Sequence, residues 1–273
     1  MKKEINISIA VLIGFLAFLW LEKPLREFLS ETHFEEQIAE LISSIFIRVI
    51  LIGAIVFLIN KLHHVEFAGL HSWWKFKNLH AVLIALVFVG IGSFSNWNTY
   101  TNSPRELLLL FTISTVVVGI VEEFTFRGVL FPLFIKSFAN AKSPILISAI
   151  LSSFMFGLTH FLNLLHQPGN IVGITSQVFF ATSIGVFFCG LMVRTENILL
   201  PSLVHALINL SFGAGKLKPI EEATNVVETS GINWNSLIPT TIFFSIIFMG
   251  GVYMILKSDK QIIVEKLKVK TVQ

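Results

Sequence analysis

The chain holds a single cysteine, Cys189, among 273 residues, and only 14% of its residues are charged. One thiol can form no intrachain disulfide and no Cys-rich zinc knuckle, so neither kind of staple is available to the fold. Scarce charge excludes more. A soluble domain is about 25% Asp, Glu, Lys and Arg, whereas here 54% of residues are hydrophobic, 27 are Phe and the mean hydropathy is +0.78. One soluble core could not bury that much apolar surface, so lipid must solvate a large part of it. There is no internal repeat, no low-complexity tract and no HExxH, the spacing that sets two imidazoles on one helical face around zinc. The net charge of +3 comes in part from a lysine-rich tail beginning at Lys257. Its alternation of Lys with Ile and Val suits an anionic inner leaflet and is no sign of nucleic acid.

What the chain does have is long apolar runs. Windows of about 20 residues, the length that crosses about 30 Å of hydrocarbon, pick out residues 5–21, 38–61, 81–97, 106–136, 144–165, 171–193, 198–214 and 237–256. The expected fold is all-α: a polytopic membrane helix bundle of about eight transmembrane helices, forming one integral-membrane domain. The first run follows Met1-Lys2-Lys3 in the manner of a signal peptide, but no small-x-small cleavage site follows it, so it reads as an uncleaved helix. The fourth, about 31 residues long, exceeds the bilayer at about 1.5 Å per residue and must tilt, bend or protrude. Thirteen Lys and Arg fall on one side of this arrangement and five on the other, with Arg48 and Arg127 inside spans. Both termini are therefore expected in the cytoplasm, and a lysine- and isoleucine-rich chain of this kind suits a bacterial plasma membrane. Residues 63–80 place Trp73, Trp74 and Phe76 among lysines, which reads as an interfacial anchor, with His63, His64 and His80 interfacial too.

Against this apolar background a few polar residues inside the spans stand out, because an ionisable group in hydrocarbon is costly unless paired or solvated. Glu122 and Glu123 are adjacent, with Arg127 four residues after the second. That is the favourable orientation for a helical ion pair, so Arg127 is expected to hold Glu123. Glu122, about 100° away around the helix, is then left to face a cavity. Phe156 and His160 share one helical face, and His205 and Asn209 share another. At about 1.5 Å per residue from the cytoplasmic helix ends, Glu122 lies about 21 Å deep, His160 about 24 Å, Asn209 about 17 Å and His205 about 11 Å. Three helices of alternating direction thus bring these groups to similar depth. A carboxylate and an imidazole can hold and deprotonate water, and two further donors can stabilise an oxyanion, the parts needed for amide hydrolysis. Elsewhere, Arg48 is expected to pair with Glu40 or with a carboxylate of another helix, and Asn163 and His166 could extend the polar lining. A non-catalytic scaffold or a proton-coupled transporter would also place Glu and His in mid-membrane, although the paired half-repeats of a transporter are not visible.

The segment Glu122-Glu123-Phe124-Thr125-Phe126-Arg127 followed by Gly128, the Phe156-Gly157-Leu158-Thr159-His160 segment and the His205-Ala206-Leu207-Ile208-Asn209 segment resemble the EExxxR, FxxxH and HxxxN signatures of the CPBP intramembrane protease family. That family includes type II CAAX prenyl endopeptidases and bacteriocin-processing or self-immunity (Abi) proteins. The resemblance covers about residues 106–214, which it marks as the catalytic core of an intramembrane endopeptidase acting on a membrane-associated peptide or protein. It implies that Glu122 is the base activating water and that His160 helps to hold that water. Glu123 and Arg127 would maintain the site, with Phe156 supporting it, and His205 and Asn209 would form the oxyanion hole. Members are often labelled metalloproteases although the CAAX type resembles a glutamate-dependent hydrolase. Zinc therefore stays a candidate cofactor, with Glu122, Glu123, His160 and His205 as its candidate ligands. A self-immunity member could instead be non-catalytic.

Overall fold

Chain surrounded by lipid must satisfy its own backbone N–H and C=O groups, and a helix does so within one segment. The computed structural model describes residues 2–32, 34–72, 75–165, 167–218 and 234–268, and all the regular structure among them is helical. In chain order the helices are α1 (Lys2–Leu19), α2 (Glu22–Glu31), α3 (Glu36–Lys61), α4 (Leu83–Ser95), α5 (Trp97–Asn102), α6 (Arg105–Glu123), α7 (Phe131–Ser137), α8 (Pro144–Thr159), α9 (Ile171–Thr195), α10 (Leu199–Phe212), α11 (Trp234–Leu256) and α12 (Lys260–Lys266). Helix α9 packs between α8 and α11, while α6 packs between α3 and α10. The apolar core gathers Ile55, Ile59, Phe126, Leu130, Phe131, Phe156 and Met192 where these layers meet.

Among the described residues, six helical stretches are long and apolar enough to cross a membrane: Lys2–Glu31, Glu36–Lys61, Arg105–Ser137, Pro144–Leu165, Ile171–Thr195 and Trp234–Leu256. The sequence windows had suggested about eight. The third and seventh expected spans correspond to the shorter apolar helices Leu79–Ser95 and Leu199–Phe212. At about 1.5 Å per residue, the 14 residues of α10 reach only about 21 Å, short of the hydrocarbon thickness. These two short helices lie against each other and end together. Asn96 Nδ2 donates to Ser211 O at 2.9 Å and the Tyr100 hydroxyl to Leu210 O at 2.6 Å, so the last carbonyls of α10 are capped by side chains that a hydropathy window counts only as a loss.

The long fourth run is not one uniform α-helix. Between α6 and α7 the backbone passes through a π-helical segment, Phe124–Leu130, and every residue in it is buried. Side chains from outside bond to the carbonyls of this wide turn: Ser152 Oγ donates to Phe126 O at 2.8 Å, and His64 Nδ1 to Gly128 O at 3.2 Å. Within the turn, Thr125 Oγ1 donates to Val121 O at 2.7 Å. Such π turns are concentrated at functional sites, and this one starts immediately after Glu122 and Glu123.

Two glycines let helices approach closely enough to align the polar residues. A Cβ on Gly119 would lie 2.7 Å from Ser202 O and 2.9 Å from Ala206 N, so only glycine allows α6 to sit directly on the turn of α10 that carries His205. On the other side, a Cβ on Gly157 would lie 2.3 Å from Thr182 Oγ1 and 2.7 Å from Val178 O, fixing α8 against α9. At the end of α8 the expected helical run continues to Leu165 in a tighter 3₁₀ form that begins at His160.

Several sequence expectations change here. His64 is not interfacial but fully buried, between the Gly128 carbonyl and Lys136 Nζ, which donates to its Nε2 at 3.0 Å. A carbonyl only accepts, so Nδ1 carries the proton and the ring is neutral. Arg48 pairs with Glu22 of α2 at 2.5 Å and donates to Ser44 Oγ, whereas Glu40 pairs with Lys216. Of the two alternatives for Arg48, the carboxylate of another helix is the one found. Trp73, Trp74 and His166 lie outside the described residues.

Burial, reinforced by the charge of Lys136, lowers the His64 pKa to about 3 from the ordinary 6.5. Between those two pH values the unfolded chain binds a proton that the folded chain does not, so His64 makes stability fall as pH drops from about 6.5 towards 3. In detergent, the melting temperature of the wild-type protein should decline over this window more steeply than that of His64→Gln. Parallel pH profiles for the two proteins would contradict the buried neutral imidazole.

Candidate active site

The site assembles around Glu123, which is completely buried near the end of α6. Its Oε1 accepts from Arg127 Nη1 at 2.9 Å and from His205 Nδ1 at 2.8 Å. The first contact is the ion pair expected from the four-residue spacing, and it has no exposed surface on either side chain. The second reaches across to α10 and determines which ring nitrogen of His205 carries a proton, because a carboxylate can only accept. With Nδ1 used, Nε2 of His205 points back toward Glu122, 3.4 Å from its Oε2. One imidazole thus bridges the two adjacent glutamates. Their local environments differ as expected: the Glu123 side chain is sealed, and the Glu122 side chain is 21% exposed.

Aromatic rings complete the enclosure. The Arg127 guanidinium lies over the ring of Phe156 at 4.9 Å and over that of Phe188 at 5.5 Å, a cation held between two π faces. Phe156 also meets His160 edge-on at 5.5 Å and His205 edge-on at 5.8 Å. Such a buried cation requires a carboxylate beside it, because an unpaired charge would otherwise bear the full desolvation cost.

The expected site residues therefore divide as follows. Glu122, Glu123, Arg127 and His205 are brought into direct contact, and Phe156 packs against Arg127, His160 and His205. His160, half-buried at the mouth of the group, lies within electrostatic reach of Glu122 and His205. Asn209 lies one turn beyond His205 on α10, half-buried, and its side-chain amide engages no partner among the described residues. Asn163 does not line the group: its amide donates to Gln177 Oε1 at 3.0 Å, tying the end of the α8 run to α9. A polar cavity of about 690 Å³, edged by Glu35, Asn98, Asn102, Glu106 and Lys218, opens at the N-terminal end of α6. It lies about 24 Å along the helix from Glu122 and belongs to a different part of the molecule.

The donor set as arranged does not fit a zinc shell. Among the described residues no three His, Cys, Asp or Glu side chains converge as metal ligands. Glu123, one of the candidate ligands, has one oxygen committed to both Arg127 and His205.

Sequence reasoning missed three contributors. Phe188 stacks on His205, with ring centroids 5.2 Å apart and planes inclined by 29°, yet nothing in the spacing singles it out among 27 phenylalanines. Gly119 acts through backbone proximity between helices far apart in sequence. Gly185 leaves room for Arg127: a Cβ there would lie 2.8 Å from Nη2.

Residues 104–211 match the family model described as type II CAAX prenyl endopeptidase Rce1-like, a segment that contains all three motifs. No curated protein and no solved structure matches the chain.

The shared Glu123 carboxylate makes Arg127 and Glu123 energetically inseparable. Arg127→Met leaves a buried carboxylate short of its cation and should lower stability by about 3–5 kcal/mol. Adding Glu123→Gln to that variant should restore part of the loss. Thermal unfolding of the single and double variants measures this, and strictly additive losses would show that the pair is not a unit.

Proposed function

Residues 104–211 carry a domain of the CPBP/CAAX protease family, and from that premise we propose that the protein is an intramembrane endopeptidase whose catalytic core spans residues 106–214. The observation that carries this reading is the convergence, on an otherwise apolar bundle, of a partly exposed Glu122, a fixed His205 and a His160 within electrostatic reach of both. Glu122 and His160 hold a water between them. As that water attacks the scissile carbonyl carbon, Glu122 takes its proton and the carbonyl oxygen becomes an oxyanion. The Nδ1–H···Glu123 bond orients His205 so that its Nε2, when it carries a proton as well, donates to the oxyanion together with the uncommitted amide of Asn209. Collapse of the tetrahedral intermediate breaks the C–N bond, and Glu122 passes its proton to the departing amine. The residue returns to its starting state with no covalent intermediate. Arg127 acts through Glu123, neutralising it without touching substrate.

The substrate is a membrane-associated peptide or protein that reaches the site from the bilayer, and a farnesylated peptide with a CAAX terminus is the probe that the family match suggests. Neither zinc nor any other cofactor is needed. The protein is integral to the membrane, with both termini on the cytoplasmic side by the distribution of Lys and Arg.

Glu122→Gln should reduce cleavage of that peptide by about 10²–10⁴-fold, the usual cost of removing a general base. Asn209→Ala should reduce it by about 10²–10³-fold, the cost of one oxyanion donor. Turnover should survive exhaustive chelation. Near-wild-type activity in folded Glu122→Gln would falsify the mechanism, and chelator inactivation reversed by zinc alone would move Glu122, His160 and His205 into a metal shell. A scaffold would instead leave the peptide intact while retaining its binding.

Reporter fusions test the orientation separately. Fusions after Lys142 and after Lys257 should report the cytoplasm, and a fusion within residues 221–231 the opposite side, if the short helices Leu79–Ser95 and Leu199–Phe212 cross together with the six longer ones, the arrangement in which basic residues divide thirteen to five. An extracytoplasmic signal from the Lys257 fusion would reverse or break this topology.

A further inference from the structure

One hydrogen bond from Nδ1 and one looser contact at Nε2 do not by themselves hold His205 in place. Nδ1 reaches Glu123 and Nε2 faces Glu122 only at one setting of the ring, and a half-turn would exchange a nitrogen for a carbon at each point. Rings on two neighbouring helices limit that freedom. Phe156 of α8 approaches His205 edge-on at 5.8 Å, while Phe188 of α9 lies nearly parallel to it at 5.2 Å and 29°. Phe188 is fully buried, so it cannot swing away into solvent. The same ring carries the Arg127 guanidinium at 5.5 Å. It therefore braces both groups that converge on Glu123 Oε1.

We propose that Phe188, which lies outside all three motifs, is a positioning residue of the site: its face holds the His205 ring at the angle that lets one imidazole bridge Glu123 and Glu122. Its contribution to turnover rests on the reading of His205 as an oxyanion donor, while its hold on the ring does not.

The adjacent Phe187 provides the control. It is as deeply buried on the same helix and shares with Phe188 the cluster containing Ala85, Leu200 and Ile247, but its described ring contact is with Phe188, whereas the contacts with His205 and Arg127 are made by Phe188. Phe187→Leu and Phe188→Leu should thus make comparable holes with different consequences for the site. In detergent-solubilised protein labelled with ¹⁵N-histidine, the His205 Nδ1–H proton, assigned by its loss in His205→Gln, should give a downfield, slowly exchanging signal. Phe188→Leu should broaden or abolish that signal and Phe187→Leu should leave it in place. An unchanged signal in Phe188→Leu, or equal loss in both variants, would overturn the assignment.

Kinetics with an internally quenched farnesylated CAAX peptide then tests the catalytic consequence. A displacement of about 1 Å at a reacting group can cost about 10²-fold, so Phe188→Leu should lower kcat by about tenfold to a hundredfold with little change in KM. Placed on His205→Gln, the same substitution should cost almost nothing further, because its effect passes through the imidazole. Additive losses would assign Phe188 to general packing. If His205→Gln alone retained full turnover, the oxyanion role of His205 would fail, while the NMR comparison would still decide whether Phe188 orients the ring.

Discussion

A guanidinium without solvent contact needs a fixed anion, and the bundle is organised around meeting that need at Arg127. Glu123 supplies the anion from one turn away, at 2.9 Å and with no exposed surface. The same oxygen fastens His205, so the ion pair that makes Arg127 tolerable also locates the imidazole from a helix 82 residues further along the chain. Phe156 and Phe188 close the group on their own helices by presenting π faces to the cation. Removing the pair would leave His205 of α10 without the polar contact that ties it to α6.

The backbone is adapted to this group at three places. Gly119 brings α6 and α10 close enough for the Glu123–His205 bond, since any larger residue would press on the Ser202 carbonyl. The π turn at Phe124–Leu130 follows directly, its Phe126 and Gly128 carbonyls accepting from Ser152 and His64. Short α10, capped by Asn96 and Tyr100, ends just beyond Asn209 instead of spanning the full hydrocarbon depth. Each departs from an ideal transmembrane helix, and polar side chains from neighbouring elements supply the bonds that the departure would otherwise leave unmade.

The two glutamates acquire different chemistry from position alone. Glu123 holds a cation and an imidazole on one oxygen and stays sealed, which suits a fixed electrostatic element. Glu122, its neighbour in the chain, retains exposure and lies 3.4 Å from His205 Nε2. Adjacent residues on a helix point about 100° apart, so a doublet of identical side chains can divide into one that is sealed in an ion pair and one that stays partly exposed.

What the sequence by itself determined was the kind of structure and which polar residues share a helical face. Apolar runs of bilayer length in a chain with 14% charge require helices in lipid, and the spacings of Glu123 to Arg127, Phe156 to His160 and His205 to Asn209 predict shared helical faces because a helix repeats every 3.6 residues. The Glu123–Arg127 bond and the Phe156–His160 contact are that local kind of fact, and both are found. Contacts between helices carry no such period. That His205 binds Glu123, that Phe188 lies beneath it, that His64 is buried against Gly128 and that Arg48 chooses Glu22 over Glu40 depend on how rigid helices meet in space. The span count divided in the same way: hydropathy measures how apolar a window is, but where a short helix stops is decided by the neighbour that caps it. Only the tertiary structure could make those choices, because close packing and the pairing of buried polar groups are properties of all the helices together.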